Sequence, residues 1–218
     1  MTISVASIMT RSDDLLNDIG GIRWPYVERV NWLNDGQREV VMHKPEAGAV
    51  NAPVQLAAGT KQTIPATGVR LLDVVRNMGA AGTTPGRSIR IVEREIMDAQ
   101  LPDWHNATAA STIKHFMFDE RNPRNFYVYP PVTGAPYVEM IYSSSPVDCT
   151  LGGNISLDDI YGNVLLDYVL YRAYSKDAEY AANAQRAQAY YQLVASALGI
   201  KSRTDVAASP NATHMGGS

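Results

Sequence analysis

Two helices written back to back between Asn154 and Ile200 constrain this chain most. Leu157, Ile160, Tyr161, Val164, Leu165, Tyr168, Val169 and Tyr171 recur at three- and four-residue spacings, an apolar stripe of helical period. Asp158, Asp159 and Asp167 fall mostly on the opposite side. Ser156 followed three residues later by Asp159 has the spacing of a capping box and predicts the start of the first helix. The pattern breaks at Tyr174-Ser175-Lys176-Asp177 and resumes with Tyr180, Ala181, Ala184, Ala187, Tyr191, Val194 and Leu198. Gly199 is the expected end of the second helix, since glycine accepts the left-handed conformation of a helix C-terminus. Alanines crowd this helix, and small side chains let a neighbouring axis approach closely. Such a hairpin needs further helices to cover its apolar faces.

The N-terminal segment supplies them. Val5, Ile8, Met9, Leu15, Leu16 and Ile19 predict a helix over residues 3–19, ended by Gly20-Gly21. Trp24-Pro25 opens the next, because proline suits the first helical turn. Val27, Val30, Leu33, Val40 and Val41 mark its buried side, and Lys44-Pro45 stop it.

Between these helical pairs the composition changes. From Glu46 onward glycine and proline punctuate short β-prone runs. Val54–Leu56 and Gln62–Ile64 predict a hairpin across Gly59, with further strands at Val69–Met78 and Ile89–Val92. Ile113–Phe118, Phe126–Tyr129 and Tyr137–Ser143 predict a three-strand meander, and Met97–Leu101 a helical turn. The expected fold is therefore α+β. Residues 1–45 give the N-terminal helices of a bundle, and residues 46–153 a mostly antiparallel β insertion. Residues 154–200 give the C-terminal hairpin, and 201–218 an extended arm that contains little to bury and orders only against a partner.

With 218 residues the chain is long enough for a substantial core without staples. A single cysteine, Cys149, rules out an internal disulfide and fits a reducing compartment. No apolar run approaches the roughly 18–20 residues of a membrane span, and no secretory leader pattern is expected at Met1–Ser4. A net charge of −3 argues against tight DNA binding through phosphates.

Catalytic patterns are sparse. His43, His105, His115 and His214 lack metal-ligand spacing. Gly79–Gly86 has no Lys-Ser/Thr ending and reads as a turn rather than a phosphate loop. No Gly-x-Ser-x-Gly elbow is present. Cys149 stands beside Asp148, an acidic setting in which no nucleophile is expected. Asp98, Asp103 and His105 around Trp104 read as a capped turn over a buried indole. The tyrosines of the C-terminal hairpin have helical spacing, so an interface within the bundle or between copies is favoured over a sugar- or base-stacking platform. Arg172, Lys176 and Arg186 are expected to pair with Asp167 and Glu179.

Several longer motifs carry a resemblance. Trp32-Leu33-Asn34-Asp35-Gly36-Gln37-Arg38-Glu39 in the second helix, Pro102-Asp103-Trp104-His105, and Phe118-Asp119-Glu120-Arg121-Asn122-Pro123 with Phe126–Pro131 recur in that order. Asp158–Tyr161 and Tyr168–Asp177 follow. Together they resemble the head-to-tail adaptors of short-tailed phages, also called head-completion or tail tubular A-like connectors, from Gly21 to Leu198. The resemblance implies a non-enzymatic virion protein at the head-to-tail junction, made in the host cytoplasm, with no cofactor, no metal and no membrane. It implies a homo-oligomeric ring, dodecameric, docked on the portal protein after DNA packaging and carrying the tail or nozzle protein. Genomic DNA would pass through its lumen with transient, non-specific contact. By the same analogy the arm at 201–218, with Arg203, Val206, Pro210 and Met215, would bind the portal. Tyr168, Tyr171, Arg172, Tyr180, Arg186 and Tyr191 are the ring-interface candidates. Two other readings stand beside it: a helical DNA-binding module using Arg172, Lys176, Arg186 and Lys201, and a carbohydrate-active virion enzyme using Asp98, Asp103 or Glu139.

Overall fold

The structure, a computed structural model, describes residues 3–208, and of Ala181 and residues 200–208 the backbone alone. The described chain forms two compact units. One is helical and combines the segment up to Ala47 with the segment from Pro146 onward; the other is Gly48–Ser145. The fold is α+β, with five helices and two mostly antiparallel sheets.

In the helical unit α1 (Val5–Leu16) is capped by Ser4, whose Oγ accepts the Ser7 N–H at 3.2 Å. It ends at Asn17 in the left-handed region, φ 52°, three residues before the expected glycines. Asparagine tolerates that conformation, so the stop precedes Gly20-Gly21 and places Ile19 in the loop. α2 (Tyr26–His43) follows Pro25. Its partner α4 (Gly162–Lys176) does not begin at Ser156. The Ser156 amide donates to Gln37 Oε1 at 2.7 Å and its hydroxyl to the Val147 carbonyl at 2.6 Å. Asp158 caps instead, taking the Ile160 N–H and opening a 3-10 turn over Asp159–Tyr161. Asp159 accepts the Ile3 N–H at 2.6 Å.

α5 (Ala181–Ala208) runs straight through Gly199, whose φ is not positive. Glycine permits a left-handed stop without requiring one, and the next helix breaker in the sequence is Pro210. The expected extended arm is therefore helical at residues 201–208 in its backbone; residues 209–218 lie outside the described ones. The core gathers Ile8, Leu33, Leu165, Val169, Leu170 and Val194 from all four helices. Ala182, Ala184, Ala189 and Ala195 are exposed, and Ala187 packs inward.

In the β unit, β1 (Ala49–Gln55), β7 (Tyr137–Ser144) and β3 (Gly68–Asn77) form one sheet in the order β1-β7-β3. β2 (Gly59–Thr63), β6 (Asn125–Val132), β5 (His115–Phe118) and β4 (Arg90–Ile91) form the other in the order β2-β6-β5-β4, where β4 and β5 run parallel. A shared core of Leu71, Val74, Phe116, Phe126, Val128 and Met140 draws on both sheets. A short helix α3 (Arg94–Gln100) and Trp104 cover the outward tyrosines of β6.

Two expected pairings are absent. β1 and β2 do not form a hairpin: β1 pairs with β7 and β2 with β6. Buried Gln62 closes the corner between them, accepting the Ala57 N–H and donating to the Ala57 carbonyl, both at 2.8 Å. Its side chain thus takes the place of a ladder partner. The expected meander also splits, because β7 leaves β6 and becomes the centre of the other sheet. Gly134 and Ala135, with φ of 74° and 50°, turn the chain across.

Candidate interaction surfaces

The motif on α2 is an internal clamp. Leu33 enters the core, and a Cβ at Gly36 would stand 2.9 Å from the Tyr168 ring, so only glycine lets α2 and α4 meet there. Asn34 grips the backbone of Cys149 at both ends: Nδ2 donates to the carbonyl at 3.1 Å and Oδ1 accepts the N–H at 2.8 Å. Gln37 holds Ser156 through its Oε1 and donates to the Cys149 thiol at 3.2 Å. Arg38 pairs with Asp35 and Asp148. Cys149 is a buried hydrogen-bonded side chain in this clamp, which agrees with a structural role.

The aromatic candidates divide between three places. Tyr168 is buried and meets Tyr171 edge-on at 5.7 Å; Tyr171 in turn meets Tyr191 at 5.1 Å. Burial holds the Tyr168 hydroxyl above its ordinary pKa. Arg172 lies beside this stack, 3.5 Å from the Tyr168 hydroxyl and 4.0 Å from Asp35. Arg186 covers the ring of Tyr174, which stacks on Tyr190 at 5.7 Å. Tyr180 is apart from both, 65% exposed under Arg23. The expected partners Asp167 and Glu179 take none of these cations; Lys176 pairs with Glu28 at 2.5 Å instead. Of the cations of the alternative basic strip, Arg172 stands near Asp35, Lys176 is paired with Glu28, and Arg186 is exposed over the Tyr174 ring. The Lys201, Arg203 and Val206 side chains and all of Pro210 and Met215 lie outside the described residues.

The loop between α1 and α2 escaped the sequence reading. Asp18 turns its carboxylate inward and accepts the N–H groups of Ile22, Arg23 and Trp24, each at 3.0 Å. Burial works to raise its pKa, but the three amides and nearby Arg29 outweigh it and leave Asp18 below the usual carboxylate value. The stapled loop holds Ile19 and Ile22 outward, 78% and 88% exposed. The signal available in the sequence was Asn17-Asp18 ahead of Gly20-Gly21, two local backbone-bonding residues before two permissive ones.

The β unit carries an open cavity of about 720 Å³ beside α3, with Glu93, Glu95, Asp98, Glu120 and Tyr127 on its wall. Asp98 accepts the Trp104 Nε1–H at 2.8 Å and faces Arg94 at 3.3 Å, whereas Asp103 makes no capping hydrogen bond. Glu139 stands elsewhere, on β7, bonded by Asn51 at 3.0 Å and Arg76 at 2.5 Å. The Asn51 hydrogen bond, with Arg76 and against burial, holds Glu139 below the usual carboxylate value, the opposite of what a general acid needs. Among the described residues no cluster of His, Cys, Asp and Glu fits a metal ion, and no helix is long and apolar enough to cross a membrane.

The helical unit is thus clamped by polar motifs and carries exposed apolar side chains. The model of a family described as SU10 adaptor protein matches residues 3–214. This chain belongs to that family. No curated protein matches it. As an SU10 adaptor it is a structural adaptor of a phage particle.

One residue of the adaptor works against its own stability. Asp167 on α4 is half-buried, and burial, offset only in part by Arg11, raises its pKa. A raised carboxyl binds a proton in the folded state at a pH where the unfolded chain does not. Stability therefore falls as pH rises through the folded value, and the penalty stays in place above it. Asp167→Asn is expected to raise the Tm at pH 7 by about 2 °C. The gain should shrink toward zero as the pH is lowered to about 4 in scanning calorimetry. An equal gain at both pH values would refute the assignment.

Proposed function

We propose that this adaptor is the repeated subunit of a ring between the portal and the tail of a short-tailed phage, twelve copies by the resemblance of its motifs. The ring docks on the portal protein after packaging, offers a platform to the tail or nozzle protein, and lets genomic DNA pass through its lumen without tight phosphate contacts. The β unit would face the tail. The segment from Lys201 onward, with Arg203, Val206, Pro210 and Met215, would reach the portal. The protein would be made in the host cytoplasm, would do no chemistry, and would need no cofactor.

The observation that carries this reading is the family match over residues 3–214. The helical unit supports it. Ile19, Ile22, Val27, Met42, Tyr180 and Leu193 stand exposed around its own filled core, side chains that contacts between copies would cover. A ring joins copies by two different faces that close by rotation, and repetition makes modest contacts durable. Electron microscopy of the purified chain mixed with its portal tests the proposal. A stacked ring on the portal is expected. A monodisperse monomer that ignores the portal overturns it.

A further inference from the structure

The β unit carries a cluster of cations with no carboxylate partner among the described residues. Arg87 and Lys114 belong to two segments that buried Asn77 ties together. Its Nδ2 donates to the Arg87 carbonyl at 2.9 Å and to the Ile113 carbonyl at 2.8 Å, and its Oδ1 accepts the Ile113 N–H at 2.8 Å. Arg90 opens β4 in register with His115 of β5, and its N–H donates to the Lys114 carbonyl at 3.2 Å. Backbone bonds thus gather Arg87, Arg90 and Lys114 around His115, which stacks on Tyr129 at 6.3 Å. Burial, and then the charges of Arg87, Arg90 and Lys114, hold the His115 imidazole below its ordinary pKa.

All three cations are exposed, and none forms an ion pair among the described residues. Three other arginines of the unit are matched: Arg70 with Glu120, Arg76 with Glu139 and Arg94 with Asp98. The chain has carboxylates to spare, 22 Asp and Glu against 19 Lys and Arg, so the missing partner is a matter of local arrangement and not of composition. Ser88, Ser111 and Thr112 flank the cations in the chain and are exposed, hydroxyls that can donate to phosphate oxygens. A protein interface has an apolar, aromatic-rich centre, and this surface lacks one. Ile91, exposed beside Arg90, is in register with inward-facing Phe116 and so lies on the other face of β4.

We infer that Arg87, Arg90 and Lys114 form the surface on which this adaptor meets the phosphate backbone of duplex DNA, about three phosphates per copy. The inference rests on the ring reading above and names the residues that touch the passing genome. Such a contact gains its free energy from released counterions and reads no bases, so it has no fixed register and lets the duplex slide. Three cations on one copy bind weakly, in keeping with the acidic balance of the whole chain. A closed ring repeats the patch, which centres the duplex without holding it at one place.

Salt dependence reads this directly. A fluorescent duplex of about 30 base pairs is titrated with the full chain, and anisotropy gives the affinity between about 50 and 200 mM salt. With about three phosphates neutralised, the affinity should fall about 40-fold over that range, and equally for duplexes of unrelated sequence. The triple variant Arg87→Gln, Arg90→Gln, Lys114→Gln should bind at least about tenfold more weakly at 50 mM salt and lose most of the salt slope. Its Tm should hold, because all three side chains are exposed and unpaired. Lys61→Gln with Arg121→Gln removes two exposed cations of the same unit outside the cluster and should change the affinity less than about twofold. Electron microscopy of the same proteins on the portal reads the ring separately. Rings whose DNA affinity is unchanged by the triple substitution overturn the inference and leave the ring reading intact. A triple variant that keeps its DNA affinity and loses the tail protein assigns the cluster to an acidic protein surface and also overturns it. Loss of DNA binding in a chain that forms no ring upholds the contact and refutes the ring.

Discussion

Arg29→Met is expected to cost about 3–5 kcal/mol in denaturant unfolding of the full chain, the largest single effect in the helical unit. Arg29 is fully buried. Its Nη1 lies 2.6 Å from Asp13 Oδ1 and donates to Ser12 Oγ at 2.7 Å, and its Nε donates to the Trp24 carbonyl at 2.7 Å. Asp18 stands 3.8 Å from Nη2. The Asp13 contact is close but poorly aligned, so Asp13 Oδ1 has a charge partner and no hydrogen bond. Methionine fills much of the volume, yet it leaves two carboxylates buried with no cation between them. Adding Asp13→Asn should recover part of the loss, because it removes one orphaned charge. The pH dependence follows from Asp18. Its lowered pKa means its contribution is full at neutral pH and fades as the pH falls through the folded value, below the ordinary carboxylate range. Without Arg29 that fading should begin at higher pH. A cost below about 1 kcal/mol, measured with an unchanged denaturant slope, would refute the account.

The same loop shows why one part of the molecule was legible in the sequence and another was not. Helical periodicity located α1, α2, α4 and α5, because burial repeats every three to four residues whatever the partner is. Periodicity does not mark where a helix ends, so the pattern places Ile19 in the buried stripe of α1 although Asn17 stops the helix before it. The β segments were found near their observed places, but their partners were not. Adjacent strands were paired by proximity, whereas the Gln62 side chain and the Gly134-Ala135 turn send the chain from one sheet to the other. Those are contacts of single side chains and single dihedrals, invisible to a pattern. Ser156 failed in a related way. Its spacing to Asp159 matches a capping box, but Gln37 holds its amide from 119 residues away. The aromatic candidates were legible as a group and not as a surface. Tyr168 is spent inside the unit, and Tyr180 and Tyr191 remain at its exterior.

Asn34→Ala is the second large effect, and it tests whether the α2 motif is the clamp described above. Asn34 is the hydrogen-bond partner of both the N–H and the carbonyl of Cys149, and Cys149 is buried. Truncation leaves a donor and an acceptor unmade, each costing about 1–3 kcal/mol, so a total loss of about 3 kcal/mol is expected. Gln37→Ala should cost less, because the Ser156 backbone it serves lies at an exposed residue where water can substitute. Gln37 also donates to Asn34 Oδ1 at 3.2 Å, so the two side chains form one network. The double variant should then cost less than the sum of the singles, with a coupling of about 0.5–3 kcal/mol. Additive losses would mean two independent contacts. Losses near zero would mean that the segment after Pro146 is held by the packing of Ile155 and Leu157 alone, and the run from Trp32 to Glu39 would need another explanation. A polar clamp suits this position because its geometry fixes one register between a helix and a segment more than a hundred residues further along. Apolar packing alone tolerates neighbouring registers, and a clamp of directional hydrogen bonds removes that tolerance.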